Sequence, residues 1–469
     1  MMNYYVRVLI FALISSLCSA QEQDVTVLSF SEYLGYVKKY HPIAKQAQLT
    51  LQLGQANLMK ARGSFDPKIE VDSERKVFKN IEYYDQLSTT FKIPTWYGIE
   101  LKTSFEKNDG VFLNPQNSVP DEGLYSAGIS ASLGQGLFIN KRMADLKKAK
   151  LFREQTKADR EILINQILYN ASIAYFDWLQ TYNEVKIYEQ FLENADIRFQ
   201  GVKRSTEAGD KAAIDSIEAR IIVKNRVLGL EQSKVKLMKS SLELSTFLWL
   251  NDDIPVELQE GVIPDIDIEN NIDNVLEISG VSLSDFILDN HPKLQSLNFK
   301  YQSLEIDKRL KANKLLPKVD VHYNFLTTSP DLVSSFNSNQ YKGGFNISIP
   351  LFLRKERGDL KLAKTKLQDA RFDIDNVKIT IQTKVLALFR ELESFEVQNQ
   401  LIEDIVSDYD AMLSAEERKF SFGESSVFLV NSREKSLIDS QLKAISLQNK
   451  YLKTKAKLFN SLSRDLQNL

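Results

Sequence analysis

From Asn140 to Leu250 the apolar positions keep one rhythm. Ile214, Ile221, Leu228, Val235, Leu242 and Trp249 recur every seven residues, the period of a helix supercoiled against a neighbour. Upstream, Leu163, Ile167, Ala171, Ala174, Trp178 and Tyr182 follow at spacings of four and three, with a second row (Ile164, Leu168, Tyr175, Leu179) beside them. A helix with two apolar rows can touch a neighbour on each side. No proline interrupts the stretch, and Gly209 marks a turn between two arms. An arm from Asn140 to Lys203 would be roughly 95 Å long at the helical rise, far beyond the helices of about 11–12 residues usual in globular domains.

Upstream of this hairpin the period falls to two. Two short helices, Ser31–Tyr40 and Ile43–Arg62, precede an alternation of Ile69, Val71, Ser73, Arg75 and Val77 with Glu70, Asp72, Glu74 and Lys76. Thr89–Ile93 reads as another strand, Pro94–Gly98 as a turn, and Ile99, Leu101, Thr103 and Phe105 as a further alternating face. Asn108–Gly123 is loop, and Ser126–Leu137 is the last strand before the long helix.

The chain then repeats itself. His291-Pro292 and Pro317-Lys318 stand 250 residues after His41-Pro42 and Pro67-Lys68. Leu360, Ala363 and Gly423 stand 214 residues after Leu146, Ala149 and Gly209. The smaller displacement means that the first strand region holds extra residues. The boundaries are a leader at 1–20; a first repeat at 21–250 (helices 31–62, strands 68–137, hairpin 140–250); an acidic linker at 251–282; and a second repeat at 283–469 (helix 284–314, strands 318–350, hairpin 355–467). Duplication at this scale marks a repeat architecture.

Composition narrows the chemistry. A net charge of −2 gives no basic field for nucleic acid. The only cysteine, Cys18, lies in a leader whose apolar run Val8–Leu17 and small residues Cys18 and Ala20 suit cleavage after Ala20. Histidine occurs only at 41, 291 and 322, and His41 and His291 precede prolines at helix starts, where they read as structural. No triad, metal-ligand spacing or phosphate loop is present, so no catalytic residue, cofactor or metal is assigned. No later segment has the run of about 18 apolar residues that a spanning helix needs, so any membrane crossing falls to the strands.

Strands of this length can span a bilayer only in a closed barrel of about eight or more. One chain has too few, so several must pool theirs. Helices flank each strand region in the same compartment, so the crossings per repeat must be even. For the first repeat, with three or four strands, two crossings with the extra hairpin extending beyond the membrane is the expectation; four is the alternative.

The order of these features resembles the TolC family of outer-membrane efflux and secretion channels across nearly the whole chain after the leader. The resemblance rests on the two His-Pro helix starts, the helix–Pro–strand junctions at Pro67 and Pro317, and two hairpin tips. Those tips read Ala208-Gly209-Asp210 through Asp215-Ser216-Ile217-Glu218-Ala219, and Phe420-Ser421-Phe422-Gly423-Glu424-Ser425-Ser426. It implies a mainly α fold with transmembrane β, internally duplicated. It also implies a homotrimer whose strands form one barrel in outer-membrane lipid, usually twelve-stranded, above a helical tunnel. The expected partners are a periplasmic adaptor and an inner-membrane pump or ABC exporter.

The tip residues Gly209, Asp210, Phe422, Gly423, Glu424 and Ser425 are the implied adaptor contacts. Asp215, Glu218 and Glu424 are candidates for a charged ring at the entrance, although Leu429 stands where the second repeat would match Asp215. Tyr83, Tyr84, Trp96 and Tyr97 are candidate membrane-interface aromatics. The competing reading is a secreted periplasmic coiled-coil adaptor or scaffold without a pore, which would need neither the strand pairs nor the duplication.

Overall fold

A computed structural model describes residues 26–463, apart from 260, 282–285 and 287. The predicted leader at 1–20, with Cys18, lies outside the described residues, as do residues 284, 285 and 287 of the predicted helix 284–314, whose α-helix starts at Pro292, and the last residues of the hairpin 355–467.

The helices are α1 (Phe30–Tyr40), α2 (Pro42–Arg62), α3 (Lys141–Glu207), α4 (Ala213–Ser245), α5 (Pro292–Asn313), α6 (Arg354–Ser421) and α7 (Val427–Leu462). The strands are β1 (Lys68–Phe78), β2 (Ile81–Pro94), β3 (Ile99–Asp109), β4 (Leu124–Gly134), β5 (Lys318–Thr327) and β6 (Tyr341–Ser348). Each repeat therefore reads short helix, strands, long helical hairpin. The chain divides into two compact units. One holds residues 46–162 and 287–382; the other holds 1–45, 163–286 and 383–469.

The first of these units carries an antiparallel meander in the order β1-β2-β3-β4-β5-β6. The register alternates two faces. Ile69, Phe91, Leu101, Ile129, Val321 and Phe345 lie on one; Lys68, Glu70, Lys92, Ser104, Ser126 and Asp320 lie on the other. Small side chains line the middle of the polar face: Thr90, Ser104 and Ser126 are buried there, and the hydroxyls of Ser104 and Ser126 are 2.7 Å apart.

The sheet meets the helices at a corner closed by side-chain amides. Asn140 caps α3 by accepting from the Met143 amide at 2.9 Å, while its Nδ2 donates to the Trp96 carbonyl at 3.0 Å. Asn313 Nδ2 donates to the Gln135 and Ile139 carbonyls. Each amide satisfies main-chain acceptors that the abrupt strand-to-helix change would leave orphaned.

Two expectations are refined here. The first repeat holds four strands, of the three or four expected. Its extra hairpin starts level with the others, Lys68 pairing with Lys92 and Lys92 with Lys102, and its turn stands past Asp109, the end of β3, because β2 begins at Ile81 and Asp109 pairs with Asp85. The chain turns back at Lys79 and Asn80, both at positive φ, and a bulge between Lys76 and Val77 hides the alternation nearby. In addition, α4 ends at Ser245, so Trp249, which fits the seven-residue period, is not helical; it bridges to Pro255 in a turn.

The other unit is built on α3. Both predicted apolar rows of this helix are largely buried within the chain, with Tyr175, Phe176, Trp178 and Leu179 at its centre. Phe30 of α1 packs on Tyr175 with ring centroids 5.2 Å apart. The Tyr175 hydroxyl donates to the Leu28 carbonyl (2.7 Å) and accepts from the Asp265 amide (3.0 Å), and burial pushes its pKa above the ordinary range. The described residues of the acidic linker thus pack into this unit. Val27–Leu28 pairs in parallel with Ile263–Pro264, Ile268, Ile272 and Leu276 are buried, and Asp273 meets Lys455 at 2.8 Å. Irregularly spaced isoleucines anchor it, which no helical or strand period reveals.

The two His-Pro helix starts share a device. His41 Nδ1 accepts from the Ile43 amide at 3.2 Å, and His291 Nδ1 from the Lys293 amide at 3.1 Å. A neutral imidazole thus fills the capping role usual for Ser or Asp. Burial lowers the pKa of His41, which favours this form.

Candidate functional site: the hairpin tips and the unpaired faces

Both tips turn by the same backbone mechanism. At the first, the Asp210 amide donates to the Ser205 carbonyl (2.9 Å) and the Gly209 amide to Thr206 (3.1 Å). At the second, the Glu424 amide donates to Lys419 (2.9 Å) and the Gly423 amide to Phe420 (3.1 Å). These are paired six-to-one and five-to-two closures, with φ of 87° at Gly209 and 78° at Gly423. The next helices start at matching positions. Ser426 caps α7 by accepting from the Leu429 amide, whereas Ala212 precedes α4 without a side-chain cap. Asp215 falls in the first turn of α4, where the helix dipole favours a carboxylate.

The two tips pack side by side. Val427 of α7 joins Ala195, Val202, Ala219 and Ile222 in one apolar cluster, and Lys211 Nζ lies 3.8 Å from the centroid of the Phe420 ring. Gly209, Asp210, Phe422 and Glu424 are exposed, Phe422 at 75%. Ser425 is half-buried, and its hydroxyl donates to Glu416 at 2.5 Å. Asp215 and Glu218 are half-buried near the start of α4.

Above the tips lies a group that no motif announces. Glu434 of α7 is fully buried and accepts from Arg198 of α3 and Arg226 of α4, each at 3.1 Å. Arg198 also reaches Glu417 of α6 at 2.9 Å. One carboxylate thus joins three helices, and a fourth connects through Arg198. The sequence does hold a signal. Val427, Val430, Glu434 and Leu437 are spaced three, four and three, so the carboxylate stands at a core position of a coiled coil.

The seven-residue row of α4 has the opposite fate. Ile214, Ile221, Leu228, Val235 and Leu242 lie between 48% and 67% exposed, although the same helix buries Ala219, Ile222, Leu230 and Leu244. On α6, Phe372, Ile379 and Leu386 form a second exposed row of the same period. Rows this long and regular are seams without a partner in the single chain.

Residues 283–464 match the outer membrane efflux protein family. The antibiotic efflux pump outer membrane protein ArpC and the toluene efflux pump outer membrane protein TtgC, both of Pseudomonas putida, are each 24% identical over 321 residues. The match covers 66% of this chain and 63% of theirs. The open state of the Neisseria gonorrhoeae outer membrane channel MtrE superposes with a TM-score of 0.67 at 12% identity, covering 93% of this chain and 89% of that one. For the Vibrio cholerae outer membrane protein VceC the TM-score is 0.65 at 12% identity, with coverages of 93% and 97%. Residues 283–464 thus carry the pattern of the outer membrane efflux protein family, and the chain has the fold of these outer-membrane channels.

The remaining sequence candidates can be placed on this fold. Tyr83 and Tyr84 lie at the far end of β2; Trp96 and Tyr97 lie in the β2–β3 turn beside the helices. The four therefore flank the sheet at opposite ends. Tyr83 packs on Phe112 at 4.7 Å and Trp96 on Phe65 at 5.8 Å. Tyr84 faces the polar side, donating to Glu74 at 2.9 Å. Among the described residues no helix is long and apolar enough to cross a membrane, and no three His, Cys, Asp or Glu side chains gather as a metal site.

Proposed function

We propose that the protein is a homotrimeric channel, the passive exit duct of a three-part export machine. The strands embed in outer-membrane lipid, with the apolar face toward the lipid and the polar face toward a water-filled lumen. The helices line a periplasmic conduit, and an inner-membrane pump supplies the energy. An adaptor docks on the exposed tips around Gly209, Asp210, Phe422, Gly423, Glu424 and Ser425. Threefold symmetry gathers Asp215, Glu218 and Glu424 near the axis, where like charges repel and lower the cost of opening. Adaptor binding shifts the tips between two packings. The relatives named for antibiotic and toluene efflux favour small molecules as cargo.

The exposed seven-residue row on α4 carries this reading. It has the period of a coiled-coil seam, and another copy of the chain supplies the matching row on α6. The double substitution Leu228→Glu and Val235→Glu places six charges in the three seams of a trimer. Protein extracted from outer membranes by mild detergent should have the mass of three chains; the variant should have the mass of one, with its helical content retained. A wild-type chain found as a soluble monomer would refute the channel.

A further inference from the structure

Six strands per chain pose a question of closure. A twelve-stranded trimeric barrel uses four from each. The outer two, β1 and β2, could stand aside from the barrel or belong to it. Three observations decide between these arrangements.

First, the two-faced pattern continues to the edge. Ile69 and Val71 extend the apolar face through Phe91 before it turns polar at Ser73 and Arg75 toward the β1–β2 turn, and Lys68, Glu70 and Asp72 extend the polar one. A hairpin outside the barrel would have no lipid to face. Second, β2 is hydrogen-bonded to β3 from Asp85↔Asp109 to Pro94↔Glu100. A twelve-stranded closure would have to strip those bonds so that β3 could accept a neighbour. Third, the sheet is sheared as a barrel requires. Lys68 and Lys318 begin equivalent strands of the two repeats, yet the pairing row through Lys68 arrives at Asn324, six residues past Lys318. That is a climb of about 20 Å over four strand spacings of about 19 Å in total, a tilt of about 45°. β1 and β6 are the free edges and run antiparallel, so an edge-to-edge join of copies needs no reversal.

We infer that β1 of each protomer pairs with β6 of the next, closing an eighteen-stranded barrel. This rests on the trimeric channel reading. At that tilt the backbone diameter is about 39 Å, against about 26 Å for twelve strands. The membrane end of this duct is therefore wider than the family's usual one.

The test is cross-linking within assembled protein. Carrying the climb across the seam sets Ser348 opposite Glu70 and Asn346 opposite Asp72, all on the lumen face. Antiparallel partners lie within disulfide reach, and the only native cysteine is Cys18. Under a mild oxidant in outer membranes, the pairs Glu70→Cys with Ser348→Cys and Asp72→Cys with Asn346→Cys should each give linked dimers and trimers. Lys102→Cys with Ser348→Cys, which probes a β3–β6 seam, should give none. Links from the Lys102 pair, or a membrane trimer with neither β1 pair linked, would overturn the eighteen-stranded closure and leave the channel standing. A soluble monomer would overturn both. Strand counting in end-on density maps of the wild-type trimer checks the same number without substitutions.

Discussion

Replacing Glu434 with alanine should loosen the hairpin bundle above the tips more than any change at the tips themselves. The carboxylate is fully buried, and the side chains of Arg198 and Arg226 that face it are only 10% and 12% exposed. Its removal leaves two cationic groups in a site closed to water. Breaking a buried pair in this way costs about 3–5 kcal/mol. Arg198 keeps Glu417 at 2.9 Å, on the more open side, so the lower end, about 3 kcal/mol, applies. Local opening should then become more than about 100-fold more frequent, at about 1.4 kcal/mol per tenfold. Hydrogen exchange followed by mass spectrometry reads this directly in peptides spanning 195–230 and 425–440. Glu417→Ala is the control: that carboxylate is half exposed, and its loss should cost under about 1 kcal/mol, about fivefold in exchange. If Glu434→Ala leaves exchange in both segments within threefold of wild type, or if Glu417→Ala matches it, the buried carboxylate does not hold the bundle.

Two further outcomes follow from the caps and turns. A Cβ built at Gly209 or Gly423 meets nothing within 4 Å, so Gly→Ala at either position should cost only the backbone term for positive φ, about 1–2 kcal/mol, seen as faster exchange confined to the tip. His41 caps α2 through an unprotonated Nδ1, and its pKa is lowered in the fold. The neutral form is the folded one, so its contribution is complete above the unfolded value of about 6.5 and is lost as the pH falls from there through the folded pKa. The melting temperature of the wild type should therefore fall between pH 7.5 and pH 5 by more than that of His41→Asn, which caps without titrating; equal falls would refute the cap.

The helical hairpins and the duplication were legible because period and displacement survive in the sequence. Gly209 and Gly423 were legible because a sharp helix reversal needs positive φ. The β1–β2 turn was not: it uses Lys79 and Asn80 instead of glycine, and the bulge at Lys76/Val77 shifts the register of Tyr83 and Tyr84. The end of α4 is misplaced because Trp249 happens to fall on the seven-residue period, whereas the helix has already ended at Ser245. Glu434 was passed over since a single glutamate on a long helix reads as solvated until its neighbours in space are known.

The main-chain closure of both tips separates two demands that usually compete. Each reversal needs one glycine and two amide–carbonyl bonds, and it draws on no side chain of Asp210, Phe422 or Glu424. Those positions can therefore drift in charge, size and polarity at little cost to folding. In the channel proposed above, rewriting a few surface letters re-addresses the tips to a new adaptor, while the turn that presents them stays the same.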